Sequence, residues 1–267
     1  MAEHMPGLQV QSLTHHYGGV RALDGVSFEV APGQCVALIG PNGAGKSTCF
    51  AALAGQHTVH QGRVQWQGEA LLRLAPHERL QRGVARTFQV AQLFEALTVL
   101  QSLQLCLQAP RTLRWSDSLD ALHAQSALAL LHRVGLASAA DQTVQSLAYG
   151  AKKRMELAMA LAGLQAVGQL QQGLLLLDEP AAGLGPQERS EMMALVQDCS
   201  AQGLAVLYTE HNMDAVFGVA DRVIVLMRGR LVCDGLPHEV AAHPVVRASY
   251  LGDDLVAQTL AQGGVHA

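Results

Sequence analysis

Val36 to Thr48 reads Val-Ala-Leu-Ile-Gly-Pro-Asn-Gly-Ala-Gly-Lys-Ser-Thr: an apolar run, a glycine-rich loop and a Lys-Ser-Thr start to a helix. Gly40, Gly43 and Gly45 permit backbone conformations closed to other residues. The loop amides can therefore turn inward around an anion at the positive end of the following helix. Gly40, Pro41, Asn42, Gly43, Ala44, Gly45, Lys46, Ser47 and Thr48 are the residues expected to wrap phosphates. Lys46 would reach the outer phosphates as a mobile charge, and the Ser47 hydroxyl would ligate Mg²⁺. That pairing implies a Mg²⁺–nucleoside triphosphate. Only three lysines occur in the chain, and one stands here.

A second pair of chemical residues follows Leu174 to Leu177, a continuous apolar run expected to be a central parallel strand covered on both faces. It ends in Asp178-Glu179-Pro180. Acids at the carboxyl end of such a strand sit where open α/β sheets bind ligands, and their burial calls for a nearby cation. His211 stands just beyond another apolar run, Ala205 to Thr209, and Tyr17 closes the first alternating run, Leu8 to Tyr17. Taken alone, such a histidine is more often structural and such a tyrosine an ordinary strand aromatic.

The elements that must position these residues fall into two kinds. Leu8 to Tyr17, Val26 to Val30 and Arg63 to Gln67 alternate apolar and polar residues, the pattern of an antiparallel layer with one buried face. Arg222 to Met227, followed by the turn Arg228-Gly229-Arg230, extends the central sheet. Between Pro76 and Leu164 the pattern turns helical, with Leu119, Leu122, Ala127, Leu130 and Leu131 spaced for one buried face. Within it Arg86-Thr87-Phe88-Gln89 is a short extended interruption. Gln165 to Gly173, rich in Gln and Gly, reads as a flexible surface connection.

At 267 residues the chain can bury a substantial core. A net charge of -4 with a pI near 6.3 argues against general nucleic-acid binding. Its apolar runs are too short to span a bilayer, and the first residues lack a signal-peptide pattern. Cys35, Cys49, Cys106, Cys199 and Cys233 form no C-x-x-C pair, so they read as reduced core thiols. The twelve histidines show no H-x₃-H or H-E-x-x-H spacing, and His15 and His16 are expected on opposite faces of a strand.

In order and spacing these residues resemble, over nearly the whole chain, the ATP-binding subunits of ATP-binding cassette (ABC) transporters. Tyr17 falls where such subunits stack an aromatic on adenine. Gln89 matches their glutamine loop, and Leu147-Ala148-Tyr149-Gly150-Ala151 stands at the family signature. Ala181 to Pro186 matches the dimer-contact loop, and His211 the switch histidine. Arg86 to Gln89, Tyr149, Asp178 to Pro186 and His243 to Gly252 are similar to the subgroup energising branched-chain amino-acid, urea or amide importers.

The resemblance implies an α/β P-loop NTPase (RecA-like) core with an antiparallel β subdomain and an inserted helical subdomain. The core would comprise 1–88 and 165–252, the helical part 89–164, and a tail 253–267, with no appended regulatory domain. It implies ATP and Mg²⁺, with Asp178 holding the metal through water and Gln89 reaching metal and water. Glu179 would polarise the attacking water, and Lys46 and His211 would contact phosphate. Leu147, Ala148, Tyr149 and Gly150 would close on the ATP of an opposing subunit. Partners implied are a second ATPase subunit, two transmembrane permeases and, indirectly, an extracytoplasmic solute-binding protein, at the cytoplasmic face of the membrane. An ATPase of an exporter or lipid-moving system, or a soluble regulatory ATPase, is the alternative. Ala148 and Ala151 depart from the family's serine and Gln or Glu, and Gly185 from its common Asp. Loss of the signature hydroxyl favours pairing with a different ATPase over a homodimer.

Overall fold

The computed structural model describes residues 7–87, 94–109 and 123–249. In chain order it runs β1 (Leu8–Tyr17), β2 (Val20–Val30), β3 (Cys35–Ile39), α1 (Lys46–Ala54), β4 (Gln61–Trp66), β5 (Glu69–Ala70), α2 (Pro76–Gln81) and β6 (Val84–Arg86). Three helices come next, α3 (Val99–Gln108), α4 (Ala124–Arg133) and α5 (Tyr149–Ala166). The last part alternates again: β7 (Leu174–Asp178), α6 (Pro186–Ala201), β8 (Ala205–Thr209), α7 (Met213–Phe217), β9 (Arg222–Met227), β10 (Arg230–Gly235), α8 (Pro237–Ala242) and α9 (Pro244–Ser249).

Two sheets result. One is antiparallel, in the order β2-β1-β4-β5. The other has the order β10-β9-β3-β8-β7-β6; β9 through β6 are parallel and β10 closes one edge antiparallel. Because alternate side chains leave a strand on opposite faces, the inner strands feed two apolar cores. Ala37, Ile39, Leu175, Leu177, Val206 and Val225 join a core with α3 to α6. Val36, Leu38, Leu174, Leu176, Leu207 and Ile224 join a second with α1 and the antiparallel sheet, including Leu8, Val10 and Trp66. This double burial is why the strands read as continuous apolar runs.

Ala127, Leu130 and Leu131 are the buried face of α4, as their spacing predicts; Leu119 and Leu122 lie outside the described residues. The α/β class agrees with the sequence reading, with β2 starting six residues earlier than Val26. The segment Gln165 to Gly173 differs from expectation. Helix α5 runs to Ala166, and the turn beyond it is tied down by Gln169 N donating to Leu164 O (2.8 Å) and the Gln67 amide donating to Gln172 O (2.8 Å). Composition indicated a loop but not the backbone bonds that hold it.

Candidate active site

The phosphate loop joins β3 to α1 and is shaped by two contacts that exclude a side chain. Gly40 has φ +152°, and a Cβ there would lie 2.1 Å from Leu226 O; Gly45 has φ +107°, and its Cβ would lie 2.3 Å from Ala22 O. Ala44 N donates to Pro41 O (3.1 Å), closing the turn, and Gly229 N donates to Ala44 O (2.9 Å), pinning the loop to the β9–β10 turn. Helix α1 starts at Lys46 with no acid in its first turn, so its amino end keeps its positive potential for an anion. Lys46 is buried, and its Nζ donates to Gly40 O (2.6 Å) and Pro41 O (3.2 Å). Burial holds this ammonium below its ordinary value, and the Glu179 and Asp178 carboxylates push it back up. Those two acids therefore face the loop electrostatically. Ser47 is exposed at the same helix end.

Asp178, at the end of β7, is almost fully buried. Thr209 Oγ1 donates to Asp178 Oδ1 (2.8 Å), and Arg86 Nη2 lies 2.9 Å from Oδ2. The oxygens of Asp178 and of the Ser47 hydroxyl are hard donors of the kind a hydrated Mg²⁺ takes, although Arg86 occupies one oxygen of Asp178. Glu179 has φ +50°, an uncommon conformation for a side-chain-bearing residue, worth roughly 1–3 kcal/mol of strain. Its amide donates to Thr209 Oγ1 (3.0 Å), which helps hold that conformation. The strained turn aims the carboxylate at His211, whose Nε2 lies 2.8 Å from Glu179 Oε1. Buried Glu210 accepts from Ala181 N (2.9 Å) and His211 N (3.1 Å), fastening the two loops that carry Glu179 and His211.

Lys46, Asp178, Glu179 and His211 are thus brought together, and Gln89 lies outside the described residues. Residues 147–150 go elsewhere. Leu147 is buried and anchors the amino end of α5, while Ala148 and Tyr149 are exposed. Ala148 caps that helix without a side-chain hydrogen bond. Tyr149 Oη donates to Ala182 O (3.2 Å), and Ala182 N donates to Glu179 O (3.2 Å), so one short loop joins the signature to Glu179. The roles of Thr209 and Glu210 escaped the sequence reading, as did the ion pair of Arg86, which was named only as part of Arg86-Thr87-Phe88-Gln89. The only signal was position, since Thr209 ends the strand beside β7 and pairs with Asp178 in register.

Tyr17 ends β1 with about half its surface exposed, as a stacking platform requires. Four histidines gather around Tyr17 and the end of β1. His15 sits edge-on to Tyr17 (4.6 Å between ring centroids), His57 lies 6.0 Å from Tyr17, and His60 stacks on His16 (3.6 Å). His15 is buried and His16 exposed, on opposite strand faces, yet both rings reach His60. Burial, then His60, His57 and His16, lowers the His15 pKa. Among the described residues, no group of three His, Cys, Asp or Glu could hold a metal ion. Burial pushes the Cys35 and Cys49 thiols up to about 12 and Cys106 and Cys199 to about 11, so these remain protonated and inert.

A family model described as ABC transporter matches residues 23–182. The chain is 33% identical over 258 residues to the high-affinity branched-chain amino acid transport ATP-binding protein BraF of Pseudomonas aeruginosa, covering 93% of this chain and 98% of that protein. It is 34% identical over 263 residues to the corresponding protein LivG of Escherichia coli K12, with the same coverage. A solved nucleotide-free ATP-binding cassette from an ABC transporter superposes with a TM-score of 0.79 at 26% identity, covering 93% of this chain and all of the other. An ADP conformation of an ABC transporter's ATP-binding cassette gives the same values.

Proposed function

Because this chain belongs to the ATP-binding subunits of the ABC transporter family, we propose that its loop, acids and histidine drive uptake of a small solute through membrane permeases. The observation that carries this reading is the Glu179–His211 pair beside the phosphate loop, with Asp178 held by Thr209. Lys46 exchanges its two loop carbonyls for phosphate oxygens of ATP, and the loop amides neutralise the rest. Ser47 and Asp178 would hold Mg²⁺, Asp178 through water, and the ion would supply positive charge to offset that of the phosphates. Glu179 accepts a hydrogen bond from the water that attacks the γ-phosphorus. A water oxygen–phosphorus bond forms, the bond to the bridging oxygen breaks, and the released proton ends on phosphate. His211 orients Glu179 and donates toward the γ-phosphate. Gln89, two positions after Thr87 in sequence, would reach metal and water. Tyr17 offers its exposed ring to adenine.

A groove of about 410 Å³, mostly apolar, lies between α2, β6, α3 and α5 and is lined by Leu80, Arg86, Thr87, Cys106, Glu156 and Met159. Its lining includes Thr87, two positions before Gln89 in sequence, so we assign it to a cytoplasmic segment of the permease. Among the described residues no helix is long and apolar enough to cross a membrane, in keeping with separate membrane subunits. The named relatives point to a branched-chain amino acid as solute, with urea or an amide as the other candidates. The test is ATP-driven uptake of labelled leucine, urea and a short amide into vesicles holding the chain with its copurified membrane partners. Uptake of one of these that stops without ATP is expected; ATP turnover with outward movement would favour the exporter reading.

A further inference from the structure

Arg86 links the end of β6 to β7 and to the carboxyl-terminal part of α1. It is the last residue of β6, paired in parallel register with Leu176 of β7, two residues before Asp178. Its Nη2 lies 2.9 Å from Asp178 Oδ2, and the two side chains are only 11% and 4% exposed. Its Nη1 donates to Gln56 Oε1, and its guanidinium carbon lies 6.0 Å from the centre of the Phe50 ring on α1. Both Arg86 and Gln56 line the groove described above.

Thr209 occupies one oxygen of Asp178 and Arg86 the other. A water of a Mg²⁺ shell that seeks Asp178 must therefore share or displace the guanidinium, and the two cations repel. We propose that Arg86 is a positioning residue through which the permease groove controls access of Mg²⁺ to Asp178. With the groove empty, Arg86 stands in for the metal on Asp178. A segment seated in the groove beside Gln56 and Arg86 draws the guanidinium away and frees Oδ2. The fork geometry of arginine suits this double engagement, because one arm holds Asp178 while the other faces the groove. This inference rests on the assignments of Mg²⁺ to Asp178 and of a permease segment to the groove.

The test reads Mg²⁺ requirement by equilibrium binding, independent of turnover. Fluorescent ATP analogue is titrated against the full-length subunit and against the complex purified with its membrane partners, and the half-saturating Mg²⁺ concentration is recorded. Arg86→Gln should lower that concentration in the isolated subunit by roughly tenfold, the low end of what a charge-assisted hydrogen bond contributes. Arg86→Lys, which keeps the charge, should stay within about threefold of wild type. Assembly should lower the wild-type requirement and leave that of Arg86→Gln unmoved. In an Asp178→Asn background the Arg86→Gln effect should vanish, because the coupling runs through that carboxylate. An unchanged or raised Mg²⁺ requirement in folded Arg86→Gln would overturn the proposal, as would an equal shift on assembly with and without Arg86. Nucleotide binding indifferent to Mg²⁺ in every form would overturn the metal assignment itself, and this inference with it.

Discussion

Lys46 makes its two hydrogen bonds to the carbonyls of Gly40 and Pro41, so binding phosphate is an exchange of partners for this side chain. Lys46→Ala removes the charge that makes the exchange favourable and should weaken ATP binding by about 1.5–3 kcal/mol, measured by calorimetric titration. Affinity equal to wild type would remove Lys46 from the phosphate site. Lys46, Ser47, Asp178 and Glu179 could be singled out from sequence because each follows an apolar strand at a spacing that chemistry requires, whereas His211 was reached only through the family resemblance. Thr209 and Glu210 could not be singled out. Their roles arise from a parallel register that sets Asp178 beside Thr209 across 31 positions of sequence, and no local pattern carries that information. Arg86 was visible as part of Arg86-Thr87-Phe88-Gln89, but its ion pair with Asp178 depends on the same sheet order.

Helix α1 is held at both ends by different means. Its amino end is shaped by Gly45, and its carboxyl end is fixed by Arg79 of α2, whose Nη1 donates to Ala52 O and Leu53 O (2.6 Å each) and whose Nε donates to Leu74 O (3.0 Å). Arg79 is 1% exposed, and burial brings its pKa down to about 10. Arg79→Met would remove the Arg79 donors of Leu53 O and Leu74 O and leave Ala52 O with only the long bond from Gly55 N (3.3 Å), and should lower stability by about 3 kcal/mol, read from the denaturant midpoint. A loss under about 0.5 kcal/mol would show that the helix end needs no such clamp. Strand positions were readable from period-two alternation and unbroken apolar runs, and α4 from its three- and four-residue spacing. The Arg79 clamp was not, because a buried arginine looks in sequence like any surface cation. The histidines around Tyr17 were missed for a similar reason: His57 and His60 reach His15 and His16 only after β4 pairs with β1.

At the scale of the molecule, Tyr149 Oη donating to Ala182 O ties the signature to the loop that follows Glu179. In the proposed dimer the signature would face the ATP of the opposing subunit. There Ala148 offers no hydroxyl, and only the amides at the start of α5 remain to meet phosphate. A pairing with a second ATPase that carries an intact signature would complete the site built on Lys46, Glu179 and His211 and leave the partner's weaker. Ala148→Ser should then raise turnover at the partner's site by roughly tenfold or more, the worth of a hydrogen bond to a charged group. It should also add about 1 kcal/mol of stability, because serine can cap α5 where alanine does not. A stability gain with no change in rate would contradict the asymmetric dimer. The central claim, that Glu179 polarises water for ATP hydrolysis, is tested most directly by Glu179→Gln in the complex purified with its membrane partners. Retention of bound labelled ATP should match or exceed wild type while phosphate release falls by roughly a hundredfold or more, since shape is kept and the charge is lost. Phosphate release at the wild-type rate would contradict the account.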